Sequence, residues 1–313
     1  MPGLTRCTAP DLIRGMASLT PEIDVELVRR LIATQFPEWA HLPVVPIVPG
    51  GWDNRTFRLG DSLTVRLPSA AGYVPQVEKE HRWLPVLARQ LPLPIPTPVG
   101  LGEPGDNYPW PWSVYEWIDG ITATPERILD LPRFAADVAE FLIALQRIDA
   151  TDGPLPGAHN YFRGAPPEVY DAEARQAIDT LGDSIDAKAA TSVWDAALTT
   201  QWRGAPVWFH GDISTGNLLL RDGRLSAVID FGTCGVGDPA CDLAIAWITF
   251  DQGSRDLFRS ALNLDDDTWA RARGWTIWKA LIVAAGSAGT HSPRTEALAA
   301  RRVIDRVIAD HRR

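Results

Sequence analysis

Sulfur and lysine are what this 313-residue chain has little of: it holds three cysteines, two methionines and three lysines. Cys7, Cys234 and Cys241 are too few for the disulfide framework of a small secreted scaffold, and they suit a reducing compartment, so a cytoplasmic location is expected. The spacing of Cys234 and Cys241 matches none of the usual zinc-ligand pairs. No apolar run approaches the length of a membrane span, and the N-terminus lacks the basic and apolar regions of a secretory signal, so no membrane partner is expected. Acidic residues outnumber basic ones by 39 to 30, giving a formal net charge of −9. That balance argues against a nucleic-acid partner, which needs a basic face, and admits a cationic substrate.

What remains is a globular balance, 45% hydrophobic and 22% charged, in a chain long enough for one large domain or two lobes. Met16 offers an alternative start, and residues 1–19 are read as an N-terminal extension on which no fold argument rests. A helix is expected from Thr20 as N-cap and Pro21 at the first helical position, with Leu27, Val28, Leu31 and Ile32 as its apolar stripe. "RTFRL" and "LTVRL" read as strands joined by the turn "LGDS", with "GGWDN" as the turn before them. A helix around "PQVEKEHRWLPVLARQ" must kink at Pro85 or hold it near its start. "LPLPIPTPVGLG" runs extended, and "PWPWSVYEWIDG" reads as a strand entering a turn at Asp119-Gly120. Helical patterns then dominate, interrupted by a strand at "PVWFHGD" and a hairpin turning at Asp222-Gly223. From "DPACDLAIAW" onward the chain reads as amphipathic helix. The organisation expected is α+β, with a small strand-rich lobe over 20–117 and a larger helical one over 118–313.

The chemistry concentrates in "FHGDISTGN" and "AVIDFG". Asp212 stands at the end of a short apolar strand, Asn217 follows a loop loosened by Gly216, and Asp230 ends the second strand of the hairpin that begins after Asn217. The hairpin returns Asp230 toward Asn217, and a carboxylate with an amide oxygen is a hard-donor set suited to Mg²⁺. Singly, each residue reads as a turn, a cap or a satisfied core histidine. Together, His210-Gly211-Asp212, Asn217 and Asp230-Phe231-Gly232 have the order and spacing of the protein-kinase signature.

With Gly211 after the histidine and "VGDPACDLA" after Gly232, the chain resembles the aminoglycoside phosphotransferases and the wider set of small-molecule kinases that includes choline and macrolide kinases. The resemblance covers almost the whole chain from about residue 20. It implies a two-lobed protein-kinase-like fold, with Asp212 as catalytic base and Asn217 and Asp230 as metal ligands for Mg²⁺. It also implies that Asp238 and Asp242 cap the next helix and brace the catalytic loop. ATP or GTP would lie in the cleft between the lobes. Gly51, with Gly50, stands where the family places a loop over the nucleotide phosphates. The resemblance further implies a lysine on the next strand but one, paired with a helical glutamate; here "LTVRLP" supplies Arg66. Arginine stays cationic and can fork two phosphate oxygens. Its partner is Glu80, with Glu78 second; the alternative is an ordinary surface ion pair. "VYEWIDG" resembles the hinge, where backbone groups of Glu116 and Ile118 would face the adenine.

The expected activity is transfer of the nucleotide's terminal phosphate to a hydroxyl of a small molecule, an aminoglycoside-type antibiotic or related metabolite first, a macrolide-type acceptor second. A non-catalytic nucleotide-binding module and a metal-dependent hydrolase are the rivals. Antibiotic resistance is part of the family's repertoire and does not follow from the fold. Trp110, Trp112 and Trp117 are candidates for the core or for a pocket that suits a bulky acceptor. Asp265-Asp266-Asp267 reads as a solvated helix N-terminus.

Overall fold

The computed structural model describes residues 22–48, 50–51, 53–286 and 294–313. The expected N-terminal extension, and the Thr20 and Pro21 proposed to start the first helix, lie outside the described residues. The described chain divides into two compact units. The first comprises the residues up to Asp119 together with Gly157–Tyr161 and Val228–Thr233; the second comprises Gly120–Pro156, Phe162–Ala227 and Cys234–Arg313.

In the first unit, helix α1 spans Val25–Gln35 and is capped by Asp24, whose carboxylate accepts from Leu27 N. The helix therefore starts four residues later than Thr20-Pro21 suggests. Aspartate is as good an N-cap as threonine, and Asp24 stands one residue before the apolar stripe's first turn. Leu27, Val28, Leu31 and Ile32 are buried together with Val44, Phe57, Leu59, Val65, Leu67 and Trp112. These strand residues come from an antiparallel sheet of β1 (Val44–Pro46), β2 (Asn54–Leu59), β3 (Leu63–Pro68), β4 (Pro98–Gly102) and β5 (Trp112–Glu116), in the order β1-β2-β3-β5-β4. Period-2 alternation sends Val65 and Leu67 to the core and leaves Arg66 on the other face. Trp112 is fully buried in this core and Trp110 packs against it, so neither is available to a bulky ligand in the way the sequence left open. Trp117 donates its indole N–H to Asp119 and lies under the Arg58 guanidinium.

Helix α2 (Val74–Ala88) carries Pro75 in its first turn and Pro85 in its last. Pro85 is thus neither near the start nor in the middle, where losing an N–H would cost most. Its buried residues are Gln76, Val77, Lys79, Glu80, Leu84 and Leu87. A carboxylate among them must be paired, because burying an uncompensated charge is expensive.

The second unit is mostly helical. Helix α3 (Leu131–Arg147), capped by Asp130, is followed by α4 (Asp171–Leu181) and α5 (Ala187–Leu198). A short ladder pairs β7 (Val207–Phe209) with β10 (Gly235–Gly237), and β6 (Ile121–Thr122), β8 (Leu218–Arg221) and β9 (Arg224–Val228) form a second small sheet. The β8–β9 hairpin turns at Asp222 and Gly223, both at positive φ (53° and 75°), the conformation an Asp-Gly turn supplies.

Helices α6 (Ile245–Ile248), α7 (Gln252–Leu262), α8 (Asp266–Ala284) and α9 (Arg294–His311) complete the unit. The expectation of amphipathic helices fails for α8. Trp269, Ala270, Ala272, Trp275, Ile277, Trp278 and Leu281 are buried on every side of it, because it packs against α4, α5, α9 and the 239–244 turn at once. Asp265 caps it by accepting from Thr268 N, and Asp266 is solvated, as the acidic run suggested.

Candidate active site

Two polar clusters stand out, one in each unit. In the first, the period-2 placement of Arg66 and the helical placement of Glu80 bring the two together: Arg66 Nη1 lies 3.4 Å from Glu80 Oε1, with side chains 13% and 4% exposed. This is a buried pair, and the surface-pair alternative is set aside; Glu78 is exposed. Glu80 also accepts from the buried Tyr115 hydroxyl. Arg66 Nη2 donates to Asp230 Oδ1 at 2.8 Å. Burial opposes the guanidinium charge, and the carboxylates of Glu80 and Asp230 outweigh it, so Arg66 stays protonated. Asp230 holds φ +68°, a left-handed conformation that aspartate tolerates better than most residues.

Gly51 accepts at its carbonyl from Arg55 Nη1 at 3.0 Å, and neither Gly50 nor Gly51 has positive φ. Pro49 and Trp52 of this loop lie outside the described residues. At the end of β5, Glu116 N–H donates to Thr97 O and Trp117 N–H to Ser62 O. Ile118 N–H has no backbone partner among the described residues.

In the second unit the loop after β7 is held from behind. Asp242 is fully buried and accepts from His210 N at 2.7 Å and from Gly211 N at 2.6 Å. Burial pushes its carboxyl up to about 6, against the pull of His210 and these two N–H bonds. Asp238 caps the 239–244 turn through Ala240 N and pairs with buried Arg271 at 2.6 Å. Gly164 holds φ +77°, and a Cβ there would lie 2.1 Å from the Phe209 ring, so only glycine lets the 163–164 segment pass β7.

Held this way, Asp212 faces a pocket also lined by Arg163, Ile213, Ile248, Trp275, Trp278 and Lys279. Asn217 Nδ2 donates to Asp212 O at 2.9 Å and to Oδ2 at 3.0 Å. With its nitrogen so engaged, the Asn217 carbonyl oxygen is the atom left for a cation. Lys279 Nζ donates to Asp212 Oδ1 at 2.5 Å. Burial works to raise the Asp212 carboxyl, but the charge and hydrogen bond of Lys279, helped by Arg163 and His210, bring it down to about 2.

Sequence reasoning missed Lys279 and Arg163. A signal for Lys279 was present: it is one of three lysines in the chain and interrupts the apolar run "GWTIWKALIVA". A lone cation set among apolar residues is a candidate for an anionic partner. Arg163 carried no such signal, since its place beside Asp212 depends on a turn at Gly164.

The Phosphotransferase enzyme family model (APH) matches residues 44–275, and the chain belongs to that family. A 71-residue stretch is 34% identical to an aminoglycoside 3'-phosphotransferase of Escherichia coli, covering 22% of this chain and about a quarter (26%) of that relative's length. Among solved structures, the GDP and kanamycin complex of APH(2")-IIia superposes with a TM-score of 0.71 at 17% identity, covering 90% of this chain and 98% of that one. Wild-type aminoglycoside 2'-phosphotransferase-IIIa in its GDP complex gives 0.68 at 16%, covering 92% and 100%. Apo macrolide 2'-phosphotransferase MphH from Brachybacterium faecium gives 0.60 at 20%, covering 91% and 98%. These likenesses establish the α+β, two-lobed, protein-kinase-like fold. No helix among the described residues is long and apolar enough to cross a membrane.

Proposed function

We propose that this enzyme transfers the terminal phosphate of ATP or GTP to an alcohol hydroxyl of a small molecule, with Asp212 as the catalytic base. The observation that carries the reading is Asp212 itself: ionised, held at both oxygens by Asn217 and Lys279, and lining a small pocket. An acceptor hydroxyl placed there donates to the carboxylate. Its oxygen lone pair forms the new O–P bond as the bond from phosphorus to the bridging oxygen breaks. That electron pair leaves with the nucleoside diphosphate, and the hydroxyl proton passes to Asp212. Orientation and preformed electrostatics supply most of the rate in such chemistry.

The nucleotide phosphates are assigned to Arg66, steadied by Glu80, with Gly51 in the loop above them and the backbone of Glu116 and Ile118 toward the base. Mg²⁺ is assigned to Asn217 and Asp230, a hard oxygen pair that fits a cation keeping several waters and phosphate ligands. Bound there, it would neutralise phosphate charge. Relatives solved with GDP and kanamycin support a nucleotide and an antibiotic-type hydroxyl acceptor. The test is a panel of hydroxyl acceptors incubated with Mg·ATP or Mg·GTP, with products identified by mass. A phosphorylated small molecule is expected from the wild type, and from Asp212→Asn only at a greatly reduced rate. Transfer to protein serine or threonine alone would overturn the reading.

A further inference from the structure

Helix α2 buries three polar side chains, Gln76, Lys79 and Glu80, at the i, i+3, i+4 spacing where an amphipathic helix ordinarily sets apolar residues. Buried polar groups are costly unless they are bonded. Glu80 has Arg66 and Tyr115. Gln76 donates through Nε2 to Asp53 Oδ2 at 3.1 Å. Lys79, one of three lysines in the chain, donates to the Gly232 carbonyl at 2.7 Å and stands 3.2 Å from His159 Nδ1. An ammonium carries donors only, so the imidazole meets it with the lone pair of that nitrogen.

Gly232 closes the step that begins at Asp230, and each of its three residues is held. Arg66 Nη2 donates to Asp230 Oδ1 at 2.8 Å, Phe231 is fully buried, and Lys79 takes the Gly232 carbonyl. Helix α2 comes so close here that a Cβ on Gly232 would lie 2.6 Å from Gln76 Oε1 and 2.9 Å from its Cδ. Asp230 needs such holds. Its φ of +68° is a conformation that persists in a residue with a side chain only where the surroundings determine it. The bond to Arg66 occupies Oδ1, and Oδ2 is the oxygen left for a cation.

We infer that Lys79 is a positioning residue for Asp230: by holding the Gly232 carbonyl it fixes the backbone two residues beyond the metal ligand, and with it the place of the carboxylate that meets Mg²⁺. This rests on the assignment of Mg²⁺ to Asp230 made above, and Lys79 is assigned no contact with the cation or the nucleotide. An ammonium on a carbonyl is a charge-assisted bond, stronger than a neutral one. Two adjacent residues of helix α2 then act on the same carboxylate by different routes. Glu80 works through Arg66 on the Asp230 side chain, and Lys79 works through Gly232 on its main chain.

The test is the gain in ATP affinity on adding Mg²⁺, measured by calorimetry on the full chain in EDTA and in saturating Mg²⁺. The wild type is compared with Lys79→Met, Lys79→Gln, Leu84→Ala and Asp230→Asn, with a urea melt of each. Lys79→Met keeps the apolar stem and removes the donor. Its gain should fall by about tenfold, the size of one charge-assisted hydrogen bond, while affinity in EDTA stays within about twofold of the wild type. Lys79→Gln loses the charge and one bond of reach, and carries the same expectation should Lys79→Met not fold. Leu84→Ala removes buried apolar volume one turn further along the same helix, so it should lower the urea midpoint and leave the gain unchanged. A wild-type gain in the Lys79 variants, or a gain lost equally in Leu84→Ala, overturns the inference and leaves Lys79 as part of the packing. If the wild type shows no gain, or Asp230→Asn keeps it, the assignment of Mg²⁺ to Asp230 falls first and the inference falls with it.

Discussion

Lys279 Nζ stands 2.5 Å from Asp212 Oδ1 while Asn217 Nδ2 stands 3.0 Å from Oδ2, so one carboxylate is gripped at both oxygens. The two grips come from different distances along the chain. Asn217 is five residues away in the same loop, and Lys279 is 67 residues away on the buried helix α8. A side chain held from two directions has one rotamer and, with a cation in contact, one protonation state. Both properties favour a group that must meet an acceptor hydroxyl in a fixed line with a phosphate.

Replacing Asp212 with Asn removes the acceptor for the hydroxyl proton and changes the shape of the site little. Turnover should fall by about two to four orders of magnitude. Nucleotide affinity should stay within about twofold, since Asp212 is assigned no nucleotide contact. Steady-state kinetics on an identified acceptor, with calorimetric titration of Mg·ATP, checks both. Near-normal turnover would remove Asp212 from the role of base.

The Asp212 carboxyl lies below its ordinary value, at about 2. It is therefore ionised over the whole working range, and kcat/KM should show no acidic limb from this group between about pH 4 and 7. Lys279→Gln removes the charge that outweighs burial, so the carboxyl should rise and an acidic limb should enter the measurable range. The same depressed value makes the ion pair's stabilisation complete above the ordinary carboxylate value of 3.8, and lost as pH falls toward about 2. A pH–rate profile unchanged by Lys279→Gln would contradict this account.

Arg66 makes a different demand. Its guanidinium meets Glu80 and Asp230 through separate nitrogens, a fork that an ammonium cannot reproduce. Arg66→Ala should weaken Mg·ATP binding by about tenfold or more and leave Glu80 buried without its cation, lowering stability by about 3 kcal/mol. Arg66→Lys keeps a point charge and should recover part of both. Titration calorimetry with a urea melt separates the two effects, and equal full activity in both variants would return Arg66 to a structural role.

Much of the first unit was legible because its periods are simple. Val65 and Leu67 alternate with Arg66, and Leu27, Val28, Leu31 and Ile32 repeat at helical spacing. The Arg66–Glu80 pairing followed from those two periods. The kinase-like spacing of His210, Asp212, Asn217 and Asp230 was legible too, since local loops keep those residues in order. Helix α8 was not: surrounded by other helices, it has no polar face, and a helix without a polar face gives no moment to read. Lys279 and Arg163 fell with it, because their approach to Asp212 depends on packing between distant segments and on the turn at Gly164. The first helix was misplaced for a smaller reason, two good caps within five residues of one another.

Asp242 gives the protein a stability signature. Its carboxyl is raised to about 6, above the ordinary 3.8, so the folded state holds that proton to higher pH than the unfolded chain does. Its contribution is therefore greatest below about 3.8 and is lost as pH rises through about 6. Asp242→Asn cannot titrate, so the difference between wild type and variant should narrow over that window as the wild type loses ground. Asparagine also presents one acceptor oxygen to two backbone N–H groups, those of His210 and Gly211, which should cost about 1–3 kcal/mol at all pH values. Urea unfolding followed by tryptophan fluorescence, at several pH values from about 4 to 7, reads both effects. A wild-type-minus-variant difference that does not change with pH would show that Asp242 titrates normally.

Asp230 is the remaining test, and the choice of substitution matters. The residue sits at φ +68° and holds Arg66 through Oδ1 at 2.8 Å. Alanine would remove the carboxylate and also force a β-carbon residue with no polar side chain into a left-handed conformation, costing about 1 kcal/mol or more. Asparagine tolerates that conformation, keeps an oxygen for Arg66 and loses only the charge. If Asp230 is a Mg²⁺ ligand, Asp230→Asn should unfold at nearly the wild-type urea concentration. Its affinity for ATP should then be insensitive to added Mg²⁺, while the wild type tightens as Mg²⁺ is raised. Asp230→Ala should show the same loss of Mg²⁺ response with a lower urea midpoint. Calorimetric titration of ATP with and without Mg²⁺ in all three proteins measures this, and a wild-type Mg²⁺ response in Asp230→Asn would leave Asp230 as the partner of Arg66 and nothing more.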